Sequence, residues 1–276
     1  MILSTNSIDL RESHVMAIVN VTPDSFYTGS RTLSRGDILS RVEGVVRDGA
    51  TIVDIGGYSS RPNAVEVGLE EEWSRVREGL EAVRSVDGGV VVSIDSFRAE
   101  VIRRAVEDYG DVIVNDISAG EQDGDMLGVV ARYGLRYVAM HMRGTPKTMQ
   151  SLTDYEGGVV RGVVEYFKHR VEDIVSAGVA RESVVLDPGF GFAKSVAQNY
   201  ELLRGLDEIR SLGHPVLVGV SRKSMIYKPL GIQPEDALAG SLALAWEVLR
   251  GGNAILRVHD VRESVQLLSL AKTYRG

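Results

Sequence analysis

Apolar, β-branched runs recur along the chain at intervals that leave room for a helix between neighbours. They read HVMAIVN, ATIVDIGG, GVVVSIDS, DVIVNDIS, LRYVAMHM, SVVLDPGF, HPVLVGVSRKS and NAILRVHD, eight in all. Short runs of this kind predict strands buried on both faces. Between them the period lengthens: Leu69, Trp73, Val76, Leu80 and Val83 step by fours and threes, as do Val160, Val163, Val164, Phe167, Val171 and Ile174. That spacing predicts helices with one apolar stripe. Apolar strands alternating with such helices imply a parallel sheet covered by helices. Eight units over this length predict an α/β protein with one (β/α)8 TIM barrel as a single domain over 1–276, not a doubly wound open sheet. Residues 1–13 alternate weakly and are expected to form a short N-terminal hairpin closing the bottom of the barrel.

The strand endings carry the chemistry. At or just past the end of each run stands a polar residue: Asn20, Asp54, Asp95, Asn115 with Asp116, His141, Asp187, Ser221 with Arg222 and Lys223, and Arg257 with His259. One such residue would be an ordinary turn or cap. In a barrel all eight endings converge on one rim, the face where active sites of this architecture lie. The cations come chiefly from the last two runs, where loop amides favour phosphate. Asp95, Asn115 and Asp187 would lie deeper and offer the donors and acceptors that suit a flat heterocycle with several N–H groups. The expected guest is a polar ring at depth with a phosphate near the rim.

Composition narrows the partners. The chain has 276 residues, 44% hydrophobic and 25% charged, with a formal net charge of −7 and no cysteine. No basic run suggests a nucleic-acid surface, no apolar stretch approaches the roughly 18 residues of a membrane span, and the polar-broken N-terminus has no signal-peptide core, so a cytoplasmic protein is expected. Without cysteine, any metal must be held by oxygen or imidazole.

The blocks VNVTPDSF, VDIGGYSSRP, SIDS, NDIS, MHMRGTPKTMQ, LDPGFGFAKSVAQNYELL, VGVSRKSMI and GSLALAWEVLRGGNAILRVHDV resemble, in order and spacing, those of the dihydropteroate synthases, pterin-binding enzymes of folate biosynthesis and targets of sulfonamides. The resemblance runs from about residue 15 to the C-terminus. It implies a transferase that condenses 6-hydroxymethyl-7,8-dihydropterin diphosphate with p-aminobenzoate and releases pyrophosphate. Carried over by position, it assigns the pterin to Asp95, Asn115, Ile117, Met140, Asp187, Gly219, Lys223 and Arg257. It assigns the diphosphate to Asn20, Ser60, Arg61, Arg257 and His259, and the p-aminobenzoate to Thr22, Pro23, Ser60, Pro62, Phe192, Lys223 and Ser224. The catalytic set implied is Asn20, Asp95, Asp187, Lys223, Arg257 and His259. Asn20 would also reach a Mg2+ ion through oxygen, and Phe26 with its loop would close over the second substrate. A guanidinium over a flat ring and carboxylates on its N–H groups are physically apt.

The chain departs from the commonest pattern of that family in places. Tyr58 stands where an acidic residue is usual, Ser59 and Ser60 replace Ser-Thr, Asn63 and Ala193 replace glycines, and FYTGS replaces FSDGG. Other conspicuous residues have plainer readings. His14, His169 and His214 are expected at the surface or in turns, Met16, Met126, Met149 and Met225 as core filling, and Glu70, Glu71 and Glu72 as a solvated first helical turn. Asp54 is expected to fix the second loop by hydrogen bonds. Arg143 and Lys147 suit either rim electrostatics or simple solvation.

Two other functions compete. A pterin-dependent methyltransferase, passing a methyl group from a folate to a corrinoid protein, would share the deep acids but has no use for TPDSF, SSRP and SRKS. A non-catalytic pterin-binding protein would be expected to lose Asn20, Arg61, Lys223 or His259, and all are present. Finally, Leu242, Leu244, Ala245, Trp246, Val248 and Leu249 encircle most of a helix. The excess apolar surface must be covered, either by the last helix, through Val265, Leu268 and Ala271, or by a partner. The resemblance, to a family that forms homodimers through late helices of the barrel, implies a homodimer contact there.

Overall fold

Each apolar run becomes a strand, and all pair in parallel. The computed structural model describes residues 1–22, 34–58, 66–86, 88–145 and 148–276. The strands are β1 (Ile2–Leu3), β2 (His14–Asn20), β3 (Ile52–Gly56), β4 (Val90–Asp95), β5 (Ile113–Asp116), β6 (Arg136–Met140), β7 (Val184–Asp187), β8 (Leu217–Val218) and β9 (Ile255–Val258). The helices are α1 (Arg35–Arg47), α2 (Leu69–Ser85), α3 (Ala99–Tyr109), α4 (Met126–Tyr133), α5 (Val159–Ser176), α6 (Val196–Arg204), α7 (Leu206–Arg210), α8 (Ser224–Leu230), α9 (Leu238–Arg250) and α10 (Val261–Arg275). Strand order runs β7-β6-β5-β4-β3-β2-β9-β8. The Leu186–Val216 bridge and the Leu186 N–H donating to the Pro215 carbonyl at 2.9 Å join its two ends. The result is an eight-stranded TIM barrel with a helical coat.

Period-two alternation along each strand explains where the polar groups go. Val15, Ala17, Val53, Ile55, Val92, Ile94, Val114 and Leu186 face outward and join the helices in the main core. Met16, Ile52, Val91, Ile113, Val138, Val185, Leu217 and Ile255, one from each barrel strand, form a separate apolar layer inside. Two residues further along the same strands or their immediate extensions stand Ile18, Asp54, Ser93, Asn115, Met140, Asp187, Gly219 and Arg257. Thus a polar tier rests directly on an apolar one.

The N-terminal segment closes the bottom as expected, but not as a hairpin. Ile2 and Leu3 run parallel to β4, beside Val90 and Val91. A short 3-10 turn then follows at Thr5–Ser7. Asp111 fixes that turn, accepting from the Thr5 backbone N–H at 2.9 Å and its hydroxyl at 2.7 Å. Leu10 enters the inner apolar layer, with Leu3 and Ile8 against it. His14 also departs from expectation: it begins β2, is buried, and its Nε2 lies 2.7 Å from the Asp9 carbonyl.

The helices bury the predicted stripes, including Trp73, Val76, Leu80 and Val83 of α2 and Val163, Phe167, Val171 and Ile174 of α5. In α9, Ala245, Val248 and Leu249 are buried. Part of its remaining apolar surface is met within the chain, where Trp246 packs edge-on to Tyr274 of α10 with ring centroids 5.3 Å apart.

Candidate active site

Asp54 is the hub of the polar tier. Fully buried on β3, it accepts Ser93 Oγ at 2.6 Å, Asn115 Nδ2 at 3.1 Å and Arg257 Nε at 2.7 Å. The expected role in the second loop is therefore corrected: Asp54 reaches across the barrel and orients Asn115 and Arg257. Sequence reasoning missed this because the partners come from β4, β5 and β9, which are 39, 61 and 203 residues away and meet it only through the order of the strands. The same guanidinium donates its Nη2 to Asp95 at 2.6 Å.

Burial raises the pKa of Asp95 to about 7, against the attraction of Arg257. Asp187, buried at the end of β7, is likewise raised by burial, with Lys223 opposing. Its Oδ1 accepts the Gly189 N–H at 2.8 Å. Burial lowers Lys223 to about 8, with Asp187 opposing. The Lys223 ammonium donates to the Phe190 carbonyl and lies 5.1 Å from the centre of the Phe192 ring. Gly219 belongs to the same corner: a Cβ there would lie 3.8 Å from both Lys223 Nζ and Arg257 Cβ. Ile117 and Met140 join Met142, Met149 and Ala193 in an apolar cluster, with Phe97 and Phe192 packed against it. Of these, Phe97 and Met142 had no signal in the sequence beyond their place just after a strand.

At the rim, Ser221 Oγ accepts the His259 backbone N–H at 3.2 Å and lies 3.1 Å from its Nδ1. The hydroxyl thus occupies Nδ1 and leaves Nε2 as the ring nitrogen without a hydrogen bond among the described residues. Burial, together with nearby Arg257, lowers the pKa of His259 to about 4. Arg222, counted among the mouth cations, is committed elsewhere. It forks onto Asp260 at 2.9 and 2.7 Å and donates to the carbonyls of Pro234 and Glu235. Arg222 has φ 55°, a left-handed conformation that non-glycine residues seldom adopt.

Asn20 ends β2, and its side chain has no hydrogen-bond partner among the described residues. A Cβ at Gly56 would lie 3.0 Å from Asn20 Oδ1 and 3.7 Å from Asp95 Oδ2, so glycine there lets the two oxygens approach. No group of three or more acidic or imidazole ligands among the described residues could hold a metal by itself. A hard cation that keeps water and phosphate in its shell fits this donor set, since one amide oxygen suffices. Thr22 is buried and Ser224 opens α8. Pro23, Phe26, Ser60, Arg61, Pro62, Asn63 and Lys147 lie outside the described residues. Arg143 donates to the Asp154 carbonyl and sits 4.8 Å over the Tyr155 ring, so it is bound into its own loop.

A barrel with a polar tier of this kind defines a class. The chain belongs to the pterin-binding enzyme family, whose model matches residues 16–259. Within that class its relatives are dihydropteroate synthases, transferases of folate synthesis. The Escherichia coli dihydropteroate synthase is 42% identical over 96% of this chain and 93% of that one. The Yersinia pestis dihydropteroate synthase in complex with a sulfonamide drug superposes with a TM-score of 0.90 at 39% identity, covering 97% of this chain and 96% of that one. The Xanthomonas albilineans dihydropteroate synthase with 4-aminobenzoic acid gives 0.88 at 35%, covering 98% and 95%.

Proposed function

We propose that the protein condenses 6-hydroxymethyl-7,8-dihydropterin diphosphate with p-aminobenzoate, giving 7,8-dihydropteroate and pyrophosphate. The observation that carries the reading is the ring of groups Asp54–Arg257–Asp95 with Asn115, Asp187 and Lys223 above one apolar floor. Asn115, Asp187 and Asp95 take the donors and acceptors of the pterin edge, while Ile117 and Met140 line its faces. Arg257 lies over the ring and, with Arg61 and His259, balances the negative charge that develops on the departing pyrophosphate. With its proton on Nε2, His259 donates a hydrogen bond from there to a phosphate oxygen. Positive charge left on the pterin methylene spreads into the ring, where Asp95 and Asp187 oppose it. Thr22, Pro23, Ser60, Pro62, Phe192, Lys223 and Ser224 hold the aniline, whose nitrogen attacks the methylene last and needs no strong base.

Asn20 is the residue that would hold Mg2+ beside the diphosphate. When bound, the ion supplies further charge neutralisation to the leaving group. Sulfonamides would compete for the aniline site. The protein works as a homodimer through α9 and α10, where Leu270 and Tyr274 remain 63% and 69% exposed. Its place is the cytoplasm; no helix among the described residues is long and apolar enough to cross a membrane. The test is to incubate the protein with the pterin diphosphate, p-aminobenzoate and Mg2+ and to measure pyrophosphate. No release above the rate without protein overturns the reading.

A further inference from the structure

Lys194 is 4% exposed, yet its Nζ has no carboxylate in hydrogen-bond reach among the described residues. Its three donors go to the carbonyls of Gly189 at 3.0 Å and Phe192 at 2.9 Å, and to Nδ1 of His141 at 2.9 Å. Burial lowers Lys194 to about 7, with Asp187 opposing. In its charged form it can only donate, so Nδ1 then presents its lone pair and the ring is neutral with its proton on Nε2. Burial first, and the Lys194 charge second, hold His141 well below the usual histidine range, in keeping with that state. The histidine directly follows β6 and stands edge-on to Tyr166, with ring centroids 4.8 Å apart.

The segment gripped in this way runs from Pro188 to Lys194 and turns sharply. Gly189, Gly191 and Ala193 all have positive φ, and a Cβ at Gly189 would meet the His141 carbonyl at 2.0 Å. A tight loop aims its carbonyls inward and needs donors for them. Lys223 takes the Phe190 carbonyl, while Lys194 takes those on either side of it. The loop thus has one lysine on its site face and one on its buried face, and Phe192 is placed between them.

Accepting the proposed function, we propose that Lys194, with neutral His141 as its acceptor, is a positioning residue that sets the β7–α6 loop so that Phe192 meets the second substrate beside Lys223. It need not touch either substrate to do so. A cation is suited to the task because one buried group bridges two carbonyls and an imidazole, which a neutral amide cannot match with three donors.

The experiment is steady-state kinetics on Lys194→Met, which keeps the length of the chain and removes the donors. The expected result is a KM for p-aminobenzoate raised about tenfold or more, with the KM for the pterin diphosphate within about threefold of the original. An unchanged p-aminobenzoate KM, or an equal rise in both constants, overturns the proposal. If Lys194→Met does not fold, the near-isosteric pair His141→Asn and His141→Leu decides, since only asparagine offers an acceptor where Nδ1 stood. Parity between them overturns the proposal, and a higher p-aminobenzoate KM in the leucine variant supports it. Absence of turnover in the unsubstituted protein would count against the proposed function alone. A crystal structure of the substituted protein then reads the loop directly, and a Phe192 ring still near 5.1 Å from Lys223 Nζ overturns the positioning role.

Discussion

Asp54 holds Arg257 by its Nε at 2.7 Å, across a span of 203 residues in sequence, from a position that solvent does not reach. Asp54→Ala would leave Arg257 Nε, Asn115 Nδ2 and Ser93 Oγ without their acceptor. Loss of a buried charged partner is strongly destabilising, by roughly 3–5 kcal/mol. Asp54→Asn keeps the size and one acceptor and should therefore fold better. Calorimetry on the asparagine variant is expected to show pterin affinity lowered by about tenfold or more, a shift of about 1.4 kcal/mol. Unaltered affinity would make Asp54 a purely structural group.

Lys223 lies against Asp187, the Phe190 carbonyl and the Phe192 ring, which under the proposed function is where the two substrates meet. Lys223→Ala should raise both Michaelis constants and lower turnover. Unchanged turnover would remove Lys223 from the site.

His259, with its pKa near 4, is neutral in the free protein at pH 6. The unfolded chain, whose histidine titrates at its ordinary value of 6.5, takes up a proton on the way down before the fold does. This residue therefore lowers stability as pH falls through that interval and costs nothing above it. A diphosphate beside the ring favours the cation and raises its pKa. Pyrophosphate binding at pH 6 should thus take up a proton, seen as a dependence of binding enthalpy on buffer ionisation enthalpy. The uptake should vanish in His259→Gln.

Binding of p-aminobenzoate should depend on what already occupies the rim. If pyrophosphate organises the segments 21–31 and 58–66, the free protein will bind p-aminobenzoate poorly, and pterin with pyrophosphate will tighten it by about tenfold or more. Equal affinities by calorimetry with and without pyrophosphate would contradict this coupling.

The surface of α9 and α10 gives a prediction about assembly. Sedimentation at micromolar concentration should show a dimer, and Trp246→Glu should weaken it, since a charge there meets both Tyr274 and any apposed apolar surface. A Trp246→Glu variant that stays dimeric would place the interface elsewhere.

The fold was legible because its signal is repeated and local: eight apolar runs each ended in a polar group, and each became a strand of the barrel. What stayed hidden was partner choice. Nothing near Asp54 in sequence marks Arg257, and nothing near His141 marks Lys194, because each pair meets only after the strands take their stagger. Arg222 looked like a free cation beside Lys223, yet its left-handed backbone turns it onto Asp260. The first residues showed weak alternation, which says strand but not direction; the short parallel run beside β4 was set by Asp111 and by the apolar layer that receives Leu10. Glu72 read as solvated, but it is buried and accepts Ser96 Oγ at 2.6 Å and Arg98 Nη1. Its helix packs that turn against the strand ends.

On five of the eight barrel strands a polar group, Asp54, Ser93, Asn115, Asp187 or Arg257, lies two residues beyond the apolar floor, and that spacing ties function to pairing register. A slip of one residue in β7 would send Asp187 into the helical coat and turn Leu186 toward the pocket; the same slip in β9 would exchange Arg257 for Leu256. A misregistered barrel would still bury apolar side chains on both faces, so burial alone distinguishes it weakly from the correct one. It would, however, place a buried charge in the coat, and the slip in β9 would also take Arg257 from Asp54. The charged ring therefore penalises a wrong register that the apolar layers alone would tolerate, and under the proposed function a chain closed in that register would be inert rather than altered in specificity.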